Sequence, residues 1–462
     1  MPGDRPIRSV NPATEEVLAE FTARSPEDVD RILEQGRRAF RAWRNVSFAE
    51  RSLALHQAAL HLRQHRSRLA GMMTAEMGKP IVEAEAEIDK CAWTCEFYAE
   101  NGPRFLANEP HASSATESYV AFTPLGTVLA IMPWNFPFWQ LFRFAAPALM
   151  AGNTAILKHA PNVPQCALAA EEVFRASGFP AGVFQTVLIG ESAVAPLIAD
   201  ERVVAVTLTG SDAAGRAVAE ASGRHLKKTV LELGGSDPFI VLDDADVDGA
   251  VQAGVRSRFQ NSGQSCIAAK RFIVVDAVFD DFQQRFVDTV KALQVGNPSD
   301  RSVRIGPLAR ADLRDRLEQQ VRRSVAQGAT LLVGGTRPTG RGYFFAPTVL
   351  FDTSSDPPAE DEEVFGPVAT LFRVRDTAAA IALANRTRFG LGASLWTADS
   401  GLARQLAREI EAGQVFINGM VISDPRLPFG GVKQSGYGRE LSEHGMREFV
   451  NIQSIWIGPD KA

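Results

Sequence analysis

Cysteine and histidine are scarce in this sequence, with four cysteines and seven histidines among 462 residues. Four cysteines are too few for a disulfide framework at this length. Cys91 and Cys95 lie four residues apart on a predicted helix, but no nearby cysteine or histidine completes a zinc site. His61 and His65 share that spacing among arginines, which indicates a solvated face. We therefore expect no metal site.

An excess of positive charge and a long uninterrupted apolar run are also missing. Lys and Arg number 49 against 54 Asp and Glu, and the net charge of −5 gives no argument for nucleic acid or an anionic membrane. Residues 1–6 lack the apolar run of a secretory signal. The most apolar stretch, residues 128–157, is interrupted by Asn135, Gln140, Arg143 and three prolines, which argues against a membrane span. We expect a cytoplasmic protein.

The hydrophobic pattern predicts a helical stretch followed by two α/β series. Residues 26–106 show helical periodicity, which the N-cap pattern Ser25-Pro26-Glu27-Asp28 opens. Over residues 126–231, short apolar strands alternate with helices, which indicates βαβ units and a parallel sheet. A second such series covers residues 237–418. Because ligands bind at the carboxyl ends of such strands, we expect an active site in an interdomain cleft near Gly234-Gly235.

Two short stretches supply a base and a nucleophile. Glu232 precedes two glycines, and Cys266 follows 34 residues later in a polar bend. A general base and a thiol are the minimum for covalent catalysis followed by hydrolysis. An unperturbed thiol, with a pKa of about 8.5, is only a few per cent thiolate at neutral pH, so Cys266 needs a helix start or a nearby cation. Taken singly, Glu232 could be a surface carboxylate and Cys266 one more buried thiol.

Three further features suit a carbonyl substrate and a dinucleotide. In the bend Pro133-Trp134-Asn135-Phe136-Pro137, the Asn135 amide could donate to a developing oxyanion or merely satisfy a turn. The loop 209–215 follows a predicted strand and opens a helix, which suits a pyrophosphate, although any tight βα turn could look similar. Lys158 ends another strand, where it could meet a ribose or phosphate or be solvated.

Seven motifs occur in the order and spacing of the aldehyde dehydrogenase superfamily, which the chain resembles over nearly its whole length. The motifs are Pro133-Trp134-Asn135-Phe136-Pro137, Lys158, Gly210-Ser211 with Gly215, Glu232-Leu233-Gly234-Gly235, Gly263-Gln264-Ser265-Cys266, Glu363-Val364-Phe365-Gly366-Pro367, and Pro428-Phe429-Gly430-Gly431 with Ser435-Gly436. The resemblance implies an α/β fold with a Rossmann-type cofactor domain (1–106 and 126–233), an α/β catalytic domain (234–434), and a small β oligomerisation arm with the C-terminal segment (107–125 and 435–462).

The resemblance also assigns the chemistry. It implies that the Cys266 thiolate attacks an aldehyde carbon, that the Asn135 amide and the Cys266 backbone N–H hold the oxyanion, and that Glu232 activates the water that releases the acid. Between attack and hydrolysis, hydride passes to NAD(P)+. Relatives that hand the acyl group to coenzyme A usually lack the glutamate, so a free carboxylic acid is the implied product. The residues implied to bind the cofactor are Trp134, Lys158, Pro161, Gly210, Ser211, Gly215, Leu233, Glu363 and Phe365.

The implied small-molecule substrate is succinate semialdehyde. Residues 418–431, which include Ser423, and residues 158–164 resemble a short subgroup of succinate-semialdehyde dehydrogenases. Arg143 lies where larger members carry a carboxylate-binding arginine, although a buried ion pair with a carboxylate of the chain is an alternative. Gln260 stands where those members carry a second arginine. Another semialdehyde, or an aliphatic or aromatic aldehyde, therefore stays open as the substrate.

The expected cofactor depends on Pro161. NAD-preferring members often carry a glutamate there, and without that carboxylate a 2′-phosphate meets no repulsion, so NADP+ or dual use is favoured over NAD+ alone. An inactive cofactor-binding or structural homologue is disfavoured, because the nucleophile, the base and the oxyanion donor are all present. Family likeness also implies a homodimer or homotetramer, joined through residues 107–125 and the strand 450–457, which could extend a neighbouring sheet.

Overall fold

Two large sheets, each built mainly of parallel strands, organise the described part of the chain. The structure is a computed structural model that describes residues 6–352, 359 and 362–458. The first sheet has six strands, in the spatial order Gly436–Tyr437, Lys228–Glu232, Val203–Thr209, Thr127–Met132, Thr154–His159 and Phe184–Thr186. Neighbouring strands within this sheet pair in parallel, except that Gly436–Tyr437 runs antiparallel to Lys228–Glu232 at one edge.

The second sheet has seven strands. Their spatial order is Thr330–Val333, Thr348–Phe351, Val368–Val374, Ala269–Val275, Asp237–Val241, Gly392–Trp396 and Gln414–Ile417. Only the pair at the first edge is antiparallel. Helices cover both faces of such sheets, and the central strands are accordingly buried along their whole length.

Three small antiparallel sheets complete the strands of the described residues. One has three strands, in the order Val450–Ile457, Glu117–Pro124 and Glu109–Pro110. The other two are the pair Ile7–Val10 with Val17–Phe21 and the pair Phe389–Gly390 with Val432–Lys433. The strand Val450–Ile457 therefore lies at the outer edge of its sheet.

The helices begin with four that precede the first sheet. They are Pro26–Trp43, Phe48–Gln64, Arg66–Met77 and Ile81–Phe105. The others are Trp139–Ala151, Pro164–Ala176, Val194–Ala199, Asp212–Arg224, Val247–Phe259, Asp276–Lys291, Ala311–Ala326, Thr377–Asn385, Ser400–Glu409 and Ser442–Arg447, with 3₁₀ turns at Glu191–Ala193 and Gln260–Gly263. The predicted N-cap at Ser25 is confirmed, because its side chain accepts a hydrogen bond from the Asp28 N–H.

Alternation along the first sheet separates two apolar clusters. Val128 and Ala130 face the cluster that contains the helices of residues 48–105, whereas Leu129 and Ile156 face the opposite cluster. This period of two is the reason that short β-branched runs form strands here, since each face buries its own row of side chains. The predicted α/β fold with parallel sheets is confirmed.

The C-terminal segment differs in one respect from the predicted arm. Gly436–Tyr437, which lies in the predicted segment 435–462, pairs with Leu231 and Glu232 and so extends the first sheet. The segment thus supports the strand that carries the proposed base as well as forming the small three-stranded sheet. The proposed domain boundaries themselves stay a prediction.

Candidate active site

The candidate site lies where the two large sheets meet. Glu232 is the last residue of its strand in the first sheet, and Asp237 opens the next strand in the second sheet. Cys266 comes three residues before the strand Ala269–Val275. The predicted base and nucleophile therefore flank the crossing between the sheets, as expected for a cleft at the ends of parallel strands.

Cys266 lines two cavities at once. The larger cavity, about 410 Å³, is also lined by Trp134, Asn135, Gly210, Ser211, Leu233, Gly234, Glu363 and Phe365. The smaller cavity, about 140 Å³, is also lined by Glu83, Lys90, Trp139, Arg143, Gln260, Ser423 and Phe429. Gln140 borders both cavities. A thiol at this junction can be reached by a small molecule from one side and by a larger one from the other.

The loop before Cys266 has an unusual backbone. Asn261, Ser262 and Gly263 have φ values of 55°, 54° and 73°, in the left-handed region that residues other than glycine rarely adopt. Glycine is required at 263, because a Cβ there would overlap the carbonyl group of Gly366. Such strain persists only where the surroundings enforce it, so this loop must be firmly anchored.

Anchors reach the loop from both sides. The Asn261 N–H donates to the Glu83 carboxylate at 2.6 Å, and the Asn261 side chain donates to the Asn135 carbonyl at 2.8 Å. The buried Arg258 guanidinium donates to the carbonyls of Gly263 and Gly366 at 2.5 and 2.6 Å. Together these bonds fix the loop against the first sheet and the second.

Asn135 is buried and oriented by its neighbours. Its amide nitrogen donates to the Gln264 carbonyl at 3.0 Å, and its amide oxygen accepts from the Gln140 side chain at 3.1 Å. An amide nitrogen carries two hydrogens, so one remains for a ligand in the larger cavity beside Cys266. This geometry suits the predicted oxyanion donor.

Glu363 is tied to the nucleophile through a buried lysine. Lys270 forms an ion pair with Glu363 at 3.3 Å and donates to the Cys266 carbonyl at 2.5 Å. Glu363 also accepts from the Gly235 N–H at 3.2 Å, and a Cβ at Gly234 would overlap its carboxylate. Sequence reasoning missed Lys270, whose signal was the charged pair Lys270-Arg271 at the start of an otherwise apolar strand.

The thiol is not activated by its surroundings in the way that the sequence suggested. Burial raises the pKa of Cys266 to about 12, although the cations Arg143 and Lys270 oppose this shift. Cys266 also lies between a 3₁₀ turn and a strand, and no helix begins there. The nucleophile is therefore a protonated thiol at neutral pH, and its proton must leave before attack.

Glu232 is buried away from both cavities. Its side chain is 2% exposed, and within the described residues neither carboxylate oxygen has a hydrogen-bond partner. Burial, with the nearby Glu440 carboxyl, raises the pKa of Glu232 well above its ordinary value. Burial thus favours the protonated form of Glu232, and this carboxyl must lose its proton and rotate towards the larger cavity before it can take a proton from water.

Arg143 forms a buried ion pair with Glu440. Its guanidinium also lies 4.4 Å from the centre of the Phe429 ring and donates to the Thr209 hydroxyl at 3.3 Å. The alternative left open by the sequence, an ion pair with a carboxylate of the chain, is what the structure contains. Arg143 also borders the smaller cavity, so its role as a carboxylate ligand of a substrate stays a prediction beside this internal pairing.

The residues predicted to bind a cofactor fall into three places. Trp134, Gly210, Ser211, Leu233, Glu363 and Phe365 line the larger cavity. Lys158 and Pro161 line a separate cavity with Asn162 and Glu191. Gly215 borders neither; it lies in the helix Asp212–Arg224, where a Cβ would come within 2.6 Å of the Leu233 side chain. This closeness lets the helix pack directly on Leu233, and a cofactor-binding role for Gly215 stays a prediction.

Comparison with known protein families identifies the family of the chain. The model of the aldehyde dehydrogenase family matches residues 1–455. The chain belongs to the aldehyde dehydrogenase family. The resemblance inferred from the seven motifs is thereby confirmed, as is the expectation of an enzyme that oxidises an aldehyde.

The similar proteins carry more specific names. The chain is 51% identical, over 98% of its length and 99% of the relative, to a probable succinate-semialdehyde dehydrogenase [NADP(+)] of Synechocystis. It is 50% identical, over 98% of its length and the whole relative, to succinate-semialdehyde dehydrogenase [NADP(+)] 1 of Mycobacterium tuberculosis. A solved structure of succinic semialdehyde dehydrogenase from Streptococcus pyogenes in complex with NADP+ is 38% identical, with a TM-score of 0.96 over 98% of this chain and all of that one.

Residues 6–352, 359 and 362–458 contain neither a candidate membrane span nor a candidate metal cluster. None of their helices combines the length and apolarity needed to cross a bilayer. Nor do they contain a group of three or more His, Cys, Asp or Glu side chains arranged to hold a metal ion.

Alkylation of the resting enzyme tests the protonated state of Cys266. Because burial raises the pKa of this thiol to about 12, we expect its rate of labelling by iodoacetamide to rise about tenfold per pH unit from pH 7 to 9.5, without a plateau. The rate is measured by mass spectrometry of the peptide, and Cys266→Ala gives the background from the three buried cysteines. A plateau below pH 9 would contradict the assignment.

Proposed function

We propose that this enzyme oxidises succinate semialdehyde to succinate with NADP+ as the hydride acceptor. The observation that carries this proposal is the position of Cys266 between two cavities, one lined by the cofactor motifs and one lined by cationic and polar side chains. The two relatives at about 50% identity, named as NADP+-dependent enzymes for this aldehyde, support the same substrate and cofactor.

The catalytic residues act in sequence. The Cys266 thiol first releases its proton to solvent. The thiolate then bonds to the aldehyde carbon, and the carbonyl oxygen becomes an oxyanion that accepts hydrogen bonds from the Asn135 amide and the Cys266 backbone N–H. NADP+, when bound, supplies the acceptor for the hydride. The remaining thioester on Cys266 is attacked by water, the deprotonated Glu232 carboxylate takes the water proton, and the thiolate leaves as succinate forms. Glu232 reaches the water by side-chain rotation, which no hydrogen bond within the described residues opposes.

The cofactor fits the residues of two cavities. The helix Asp212–Arg224 begins beside the larger cavity with Ser211 as its N-cap, a place suited to a phosphate group. At the cavity around Lys158 and Pro161, both polar atoms of the Asn162 amide are buried without a partner in the described chain. Buried amides need hydrogen-bond partners, and a ribose or its 2′-phosphate would supply them. Lys158 adds a positive charge on that side.

Substitution of the nucleophile and the base separates their roles. We expect Cys266→Ala to abolish aldehyde-dependent NADPH formation. We expect Glu232→Gln to keep a burst of about one NADPH per site but to lose steady turnover by at least about 100-fold, since water is no longer activated. Stopped-flow absorbance at 340 nm measures both phases.

The pH dependence gives an internal control for the base. A general base works when deprotonated, and the pKa of Glu232 is raised, so steady turnover of the wild type rises with pH above the ordinary carboxylate range. In Glu232→Gln this limb disappears from the residual steady rate. If the variant loses the burst and the steady rate equally, Glu232 serves an earlier step than hydrolysis.

Introducing a carboxylate at residue 161 tests the cofactor site. We expect Pro161→Glu to raise the KM for NADP+ about tenfold while leaving the KM for NAD+ similar or lower, because the carboxylate repels only the 2′-phosphate. Pro161→Gln is the matched neutral control and separates charge from the loss of proline. Initial rates with both cofactors decide the outcome, and equal effects on the two would remove residue 161 from the phosphate site.

We also propose that the enzyme is a homodimer or homotetramer, assembled through the edge strand Val450–Ile457. This strand pairs on one side only, and its Ile452 and Trp456 are 62% and 58% exposed. A long edge strand with exposed apolar side chains favours pairing with a second copy.

Light scattering after size-exclusion chromatography tests this assembly. The wild type is expected at two or four times the mass of one chain, and Ile452→Lys with Trp456→Lys is expected to lower that mass by breaking the edge contact. Leu226→Lys, at a residue 96% exposed elsewhere on the surface, is the matched control. A monomeric wild type would exclude the proposal, and an unchanged mass in the double variant would place the interface elsewhere.

A further inference from the structure

The smaller cavity requires a cation if it holds a substrate with a carboxylate, and Arg143 is already committed. Its guanidinium is paired with Glu440 and packed on Phe429. Taking it from Glu440 would leave a buried carboxylate without its partner, which is costly. A second positive group in this cavity would therefore be needed to bind the substrate carboxylate.

Lys90 is such a group. It lies in the helix Ile81–Phe105 and borders the smaller cavity together with Cys266. Its ammonium lies 4.1 Å from the centre of the Trp139 ring and donates to the Ser423 hydroxyl at 2.8 Å. The hydroxyl accepts this bond, so its own hydrogen is free to donate to an anion.

The carboxylates nearest to Lys90 are bound to other groups. Glu87 is paired with Lys79 and accepts the backbone N–H groups of Phe138 and Trp139 at 2.9 Å each. Asp424 is paired with Arg426 at 2.6 Å. Within residues 6–352 and 362–458, no ion pair joins Lys90 to a carboxylate. A partly buried ammonium in this situation favours an anionic ligand.

We propose that Lys90, with the Ser423 hydroxyl as a second donor, binds the carboxylate of the substrate and so selects a semialdehyde over an uncharged aldehyde. The inference rests on the proposed function and names the residue that determines its specificity. In this arrangement the carboxylate lies against Lys90 and Ser423, and the aldehyde end reaches Cys266, which lines the same cavity. Arg143 then contributes to binding through the positive electrostatic potential of its guanidinium and by forming part of the cavity wall.

The charge of Lys90 makes this selection dependent on pH. Burial, helped by the positive charge of Arg143, lowers the pKa of Lys90 to about 8. The groups that face it are Glu83, Glu87 and Cys91 from its own helix, Arg143 from the helix Trp139–Ala151, Asp424 from the following loop, and Cys266 across the cavity. Above this pKa the lysine becomes neutral, so the preference for a charged substrate falls as the pH rises.

The test compares succinate semialdehyde with butanal, which has the same chain length without the carboxylate. In the wild type we expect the ratio of kcat/KM for the two substrates to fall about tenfold between pH 7.5 and 9.5, because steps common to both cancel. In Lys90→Met the ratio is expected to be at least about tenfold lower at pH 7.5 and to stay flat with pH. Lys90→Arg is expected to restore the preference and to keep it at pH 9.5.

Butanal turnover reports the folding and chemistry of each variant independently. If Lys90→Met keeps the preference of the wild type, or if both substrates lose rate equally, Lys90 is a structural residue and the inference is wrong. If the wild type itself shows no preference for succinate semialdehyde, the proposed substrate fails instead. Because Glu83 remains in Lys90→Met, any pH effect shared by the wild type and this variant belongs to Glu83 or to the catalytic groups and not to Lys90.

Discussion

The left-handed backbone of residues 261–263 is the constraint on which the site depends. A conformation that costs free energy persists here because Glu83, Asn135 and Arg258 bind the loop from different parts of the fold. The same bonds place the Asn135 amide and Cys266 on one cavity wall. The proposed oxyanion donor and the proposed nucleophile are thus held beside each other by a single anchored loop.

Buried ionisable groups are kept neutral or paired until a ligand arrives. Burial raises the pKa of the Cys266 thiol and of the Glu232 carboxyl, which favours their protonated forms, and Glu440 is paired with Arg143. Burial of an unpaired charge would destabilise the protein. In the absence of ligands the reactive side chains of the site therefore favour their uncharged forms. Catalysis then requires that substrate and cofactor change the surroundings of these groups, which links binding to activation.

The fold and the catalytic trio were predictable because each left a local trace: alternating strands and helices, and motifs of fixed spacing. Partners that act through tertiary contact left none. Glu440 lies almost 300 residues after Arg143, and nothing in the sequence pairs them, so both alternatives for Arg143 stayed open until the structure. Lys90 lies within the predicted helical stretch 26–106, and a helical pattern indicates which face is buried but not the cavity that a side chain borders.

The antiparallel pairing of Gly436–Tyr437 with the end of the strand Lys228–Glu232 has a consequence for biosynthesis. The strand that carries Glu232 leaves the ribosome about 200 residues before the segment that covers its edge. The edge of the first sheet is therefore unprotected while these roughly 200 residues are synthesised and is open to pairing with other nascent chains. The catalytic site is completed among the last events of folding. A chain that stops early therefore exposes an unpaired, aggregation-prone sheet edge and is inactive.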